Sequence, residues 1–132
     1  MYRITAAGRK ALAAWINETS APPSFQSEAL LRATFAEHGT KDDLLATLRQ
    51  FRDEMAALRH GAEGVARSYV DGEGLFPERR HIVALNGVFI LDFTQLAQQW
   101  AEWATSVVET WDDTVDPSQD AVVLAAFRRR LD

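Results

Sequence analysis

Cysteine is absent from the 132 residues, which removes disulfide staples, thiolate nucleophiles and cysteine-ligated zinc or iron–sulfur clusters. Long apolar runs are missing as well. None approaches the roughly 20 residues of a membrane helix, and the opening MYRITAAGRK has no apolar segment of the secretory kind. The expectation is a cytoplasmic protein with no membrane partner. Nor is there an excess of base: 19 Asp and Glu stand against 14 Lys and Arg, a net charge of -5, so no overall field draws the chain to phosphate backbones. No glycine-rich phosphate loop, nucleophile elbow or acid–base pair in an apolar setting appears. The sequence implies no catalytic residue, no cofactor and no metal.

What is present is an ordinary globular composition, 47% hydrophobic and 25% charged, in a chain of single-domain length. Arg3, Ile4 and Thr5 continue the strand-like alternation begun at Tyr2, and Thr5 then offers an N-cap hydroxyl to a first helix with Leu12, Trp15 and Ile16 on one face. Pro22-Pro23 breaks that helix. A second helix is expected from about Ser24 to His38, packing through Phe25, Leu30, Leu31 and Phe35 and stopped by Gly39.

Thr40-Lys41-Asp42-Asp43 has the spacing of a capping box, with Asp in place of the preferred Glu. The third helix follows, with Leu44, Leu48, Phe51, Met55, Leu58, Ala62, Val65 and Tyr69 in steps of four and three, the heptad period. Gly61 and Gly64 each cost such a helix roughly 1 kcal/mol relative to Ala, so a bend or an early end is expected there. Asp71-Gly72-Glu73-Gly74 reads as a loop, and Pro77 suits a first helical turn. The fourth helix carries Ile82, Leu85, Phe89, Phe93, Leu96, Trp100, Trp103, Val107 and Trp111 at the same spacing. Between Val88 and Phe93 apolar residues cover most of its circumference, which predicts burial from more than one side. Residues 112–116 break it, and a short helix from Ser118 to Leu131 ends in Arg128-Arg129-Arg130, suited to a helix's negative pole.

Tyr2-Arg3-Ile4-Thr5-Ala6-Ala7-Gly8-Arg9, with Ala11-Leu12 and Trp15-Ile16, resembles the junction in PadR-like transcription regulators where the last strand of a winged-helix wing enters a linking helix. Pro22-Pro23 and Glu28-Ala29-Leu30-Leu31-Arg32-Ala33-Thr34-Phe35-Ala36 look like the loop and second helix of the C-terminal helical domain of that family. The long third helix and the tryptophan-bearing fourth follow in the same order. The resemblance implies an all-α fold of long antiparallel helices with a coiled-coil-like dimer seam. A remnant wing strand would occupy residues 1–5, the helical dimerisation domain 6–111, and a C-terminal extension 112–132. It also implies a homodimer that meets operator DNA only through a winged-helix module whose recognition helix these residues do not contain.

The heptad stripes have two readings, packing within one chain or a seam to a second copy. The second is favoured because two long stripes exceed what short helices can cover. The expected interface positions are Phe89, Phe93, Leu96, Trp100 and Trp103, with Leu48, Phe51 and Met55 from the third helix. Trp15, Trp100 and Trp103 are alternatively walls of a pocket for a small aromatic effector, or simply core anchors. Asp92 and Asn86 either meet a partner across the interface or lie at a solvated edge. Glu78 and His81 have the spacing of one half of a di-iron carboxylate site and His60 with Glu63 has the reversed order, but a working site needs two such pairs plus two more inward carboxylates, and Glu78 and His81 fall in a first helical turn beside a loop, so both pairs read as surface residues. The arginine run reads as a solvated helix end.

Overall fold

The computed structural model describes residues 3–132. Five helices are present among them: α1 (Ala6–Ile16), α2 (Glu28–Thr34), α3 (Lys41–Val70), α4 (Arg80–Glu109) and α5 (Ala121–Leu131). Short 3₁₀ turns, Ala36–His38, Pro77–Arg79 and Pro117–Asp120, lead out of α2 and into α4 and α5. The described residues form no strand. Tyr2 lies outside them, and Arg3–Thr5 adopt no regular structure; a strand needs a neighbouring strand to satisfy its backbone groups.

Most helix boundaries follow from local chemistry. Thr5 caps α1 by accepting from the Gly8 amide at 3.0 Å. The capping box at α3 is complete: Thr40 Oγ1 accepts from the Asp43 amide at 3.1 Å, and the Asp43 carboxylate accepts from the Thr40 amide at 2.9 Å. The Thr40 hydroxyl also donates to that carboxylate at 2.7 Å, and this bond first, with the Thr40 amide second, holds the Asp43 carboxyl below the usual carboxylate range. α2 begins at Glu28 rather than near Ser24, because Ser27 captures the Leu30 amide and so fixes the first turn. α3 runs through Gly61 and Gly64 to Val70 without ending early: the long contact with α4 outweighs their low propensity. α4 stops at Glu109, two residues short of Trp111.

The loop between α3 and α4 is built around two glycines. Gly72 sits at φ 81°, and the Glu73 amide reaches back to the Ser68 carbonyl at 2.8 Å while the Gly72 amide reaches that of Tyr69, the paired bonds of a Schellman stop. Gly74 lies directly under the Tyr69 ring, where a Cβ would collide with it.

α3 and α4 pack antiparallel over most of their length, and α2 lies on the first half of α3. The far end is clasped by polar bonds. Lys41 Nζ donates to the Glu109 carbonyl at 3.0 Å and to the Trp111 carbonyl, satisfying the free C-terminal end of α4, and Arg49 pairs with Glu109 at 2.9 Å. The core gathers at this end: Leu44, Leu45, Leu48 and Phe51 of α3 against Ala101, Ala104, Val107 and Val108 of α4. α5 adds the buried Ala126.

Candidate functional site

The core stops halfway along the hairpin at a polar belt. Thr94, fully buried, turns its hydroxyl onto the Ile90 and Leu91 carbonyls at 2.8 and 3.1 Å. Arg59 of α3 donates to the same Leu91 carbonyl at 2.8 Å and pairs with Glu63 at 2.9 Å, while Arg67 approaches Glu63 at 3.6 Å. These groups satisfy one another where the apolar filling ends.

From Leu96, just on the core side of the belt, back to the start of α4, the same stripe that is covered lower down lies open. At 100° per residue, Ile82, Leu85, Phe89, Phe93 and Leu96 project within one sector of the helix. Leu85 is 73% exposed, and Phe89 and Leu96 are each 67% exposed. Val88 and Ile90 are also exposed, so the circumferential apolar segment is not buried on both sides within one chain. Phe93 is the exception in the stripe: Phe25 meets it edge-on at 5.5 Å, and Phe89 stacks beside it at 6.2 Å. Asn86 and Asp92 are exposed beside the stripe.

The other expected interface residues fall elsewhere. Leu48 and Phe51 are buried inside the chain's own core, and Met55 is half-buried at its edge. Trp100 is half-buried, edge-on to Phe51 at 5.8 Å. Trp103 lies under the Arg130 guanidinium of α5, 5.6 Å from ring centroid to carbon. Trp100 and Trp103 line a cavity of about 420 Å³ between α4 and α5, together with Trp111, Val123 and Phe127. Trp15 lies on α1, 66% exposed, and does not line that cavity. The tryptophan that joins the pair is Trp111, two residues past the end of α4, which continues the apolar spacing of the stripe.

A second groove, about 720 Å³, runs between α3 and α4 beyond the belt. Its walls include Ala62, Ala66, Ala84 and Gly87, so the space between the helices is left by small residues, with Arg80 and His81 at one end. Glu78 and His81 are exposed at the start of α4, and no three His, Asp or Glu converge among the described residues.

α1 presents a further open face. Leu12, Trp15 and Ile16 are all exposed, and none of its residues is buried. The consequence is visible in the total surface. The chain exposes 10728 Å², whereas a compact monomer of 14.8 kDa exposes roughly 7,000 Å².

No described helix is long and apolar enough to cross a membrane. Neither a family model nor a curated protein matches the chain.

Proposed function

We propose that this chain is the dimerisation half of a PadR-like transcription regulator, pairing with a second copy through the open half of the α4 stripe. The observation that carries the reading is the row Leu85, Phe89 and Leu96, three large apolar side chains in one sector of a long helix, each at least two-thirds exposed. Contiguous apolar surface of that extent on a soluble protein marks an interaction site. The excess surface is of the right size: burying about half of it on each of two copies gives an interface of several thousand Å², the range of obligate homodimers.

In a regulator the role is geometric. Two winged-helix modules, attached before the α1 junction, would read operator half-sites whose separation is set by the packing of the helical halves. Repacking of α4 against its partner then changes DNA affinity through that spacing. A cytoplasmic location and the absence of catalytic chemistry belong to the same proposal.

The test is the double variant Leu85→Asp/Phe89→Asp. Both side chains are exposed in the single chain, so the fold survives the change while the seam acquires buried charge. Sedimentation velocity should find a helical monomer. A variant that remains dimeric refutes this seam.

A second reading is favoured by the cavity between α4 and α5, whose walls of Trp100, Trp103, Trp111 and Phe127 suit a small planar aromatic molecule. Saturable quenching of tryptophan emission by phenolic compounds would support it, and quenching that rises linearly without saturation would count against it.

A further inference from the structure

Two features of the same chain are complementary and are not joined within it. One is a hole without a filler: the groove between α3 and α4 beyond the polar belt, about 720 Å³, floored by Ala62, Ala66, Ala84 and Gly87. A Cβ built on Gly87 meets nothing within 4 Å, so the space begins at the helix surface. The other is a filler without a hole: the α1 face of Leu12, Trp15 and Ile16, with Trp15 and Ile16 each 66% exposed. An isolated helix as short as α1 is marginal in water unless an apolar face is packed. Large aromatic side chains entering pockets made by small residues are the usual anchors of an interface.

We propose that in the dimer α1 of one copy docks into the α3–α4 groove of the other, with Trp15 as the anchor. This rests on the dimeric reading above and specifies which helix crosses between the copies. Residues 17–27 connect α1 to α2 without helix or strand, and a stretch of that length reaches up to roughly 36 Å when extended, enough for α1 to leave its own hairpin. The surface excess calls for the same arrangement, because α1 and the groove both contribute to it and a second copy covers both at once.

The absence of cysteine makes the test direct. Two chains are prepared, one carrying Ile16→Cys and the other Ala66→Cys, then mixed, allowed to exchange and oxidised. The proposal expects a disulfide-linked species of double mass containing one of each chain, in higher yield than from a control mixture in which Ala66→Cys is replaced by Asp42→Cys at the opposite end of α3. It also expects a groove-filling Ala84→Phe to abolish that product. A double variant with both cysteines in one chain that closes at monomer mass, without linking copies, shows α1 docking onto its own hairpin and overturns the proposal. Light scattering on the same samples separates the two levels. Dimeric mass with unlinked thiols overturns the docking of α1 alone, whereas monomeric mass overturns the dimer as well.

Discussion

The two halves of the α3–α4 hairpin follow one sequence rule and reach opposite ends. Below the Arg59–Thr94 belt the heptad positions are large, Leu44, Leu48 and Phe51, and they close against Ala101, Ala104 and Val108 under α2 and α5. Above it the inward positions become small, Ala62, Ala66, Ala84 and Gly87, while the outward ones stay large and uncovered. The apolar period is continuous across the belt. A hydrophobic stripe therefore states that a face will be covered, but not by what. Covering within the chain is possible only where a third element arrives, and α2 and α5 reach only the lower half.

Deleting one leucine from each half gives the largest contrast. Leu48→Ala removes a side chain that is 3% exposed, and loss of its burial together with the cavity left should cost about 3 kcal/mol in urea unfolding. Leu85→Ala, at 73% exposure, should change the stability of an isolated chain by no more than about 0.5 kcal/mol. In a dimer, however, it should raise the dissociation constant. Equal effects from the two substitutions on a monomeric sample would erase the distinction between the halves.

The loop that joins them offers a sharper test of how the upper half is held. Gly74→Ala drives a methyl into the Tyr69 ring, whose hydroxyl donates to the Leu75 carbonyl. Displacing that ring should cost about 1–3 kcal/mol of thermal stability, seen as a lower melting temperature and faster amide exchange at the loop end of the hairpin. An unchanged melting temperature would mean the turn yields freely.

At the lower end, Thr40→Ala removes the hydroxyl half of the capping box and should cost about 1 kcal/mol at neutral pH. The pH dependence has a defined sign. Asp43 is held below its ordinary range by the Thr40 hydroxyl and amide, so the folded pKa is depressed relative to the unfolded one. The stabilisation is present above the unfolded value near 4 and fades as pH falls through the folded value. The gap between wild type and Thr40→Ala should therefore narrow as the pH drops below 4, leaving the part due to the bond from the Asp43 amide to the Thr40 hydroxyl. Curves that stay parallel would assign the effect to something other than this carboxylate.

The smallest expected effect lies within the core itself. Thr105 is buried in α4 with its hydroxyl unpartnered. Thr105→Val keeps the shape and removes the unsatisfied group, so chemical denaturation should show no loss and a gain of up to about 1 kcal/mol. A clear loss would reveal a partner for that hydroxyl.

Much of this architecture was legible in the residues. The capping box at Thr40, the loop around Gly72 and the long α3 and α4 all follow from local rules acting over a few positions. What the residues did not reveal is tertiary. The heptad period of Leu48 and Phe51 is the same whether they face α4 of their own chain or a second copy, and the structure buries both internally. In the sequence, Trp15 has the same character as Trp100 and Trp103, large and aromatic, and nothing local separates it from them. Their cavity companion is Trp111, brought in by the approach of α5, which no local pattern encodes. Ser27 took the role expected further upstream because a single serine hydroxyl decides where the first turn of α2 begins. The belt of Arg59, Glu63 and Thr94 carries no sequence signature, since its members sit at ordinary polar positions and gain meaning only when the two helices are in register.

The most direct test of the central claim is the solution mass of the unmodified chain, measured by light scattering on a size-exclusion column over a range of loading concentrations. The dimer proposed from the open α4 stripe and the surface excess predicts a mass of twice 14.8 kDa, stable on dilution into the low micromolar range. A monomer at every concentration would mean that these faces remain in water, and would contradict the account.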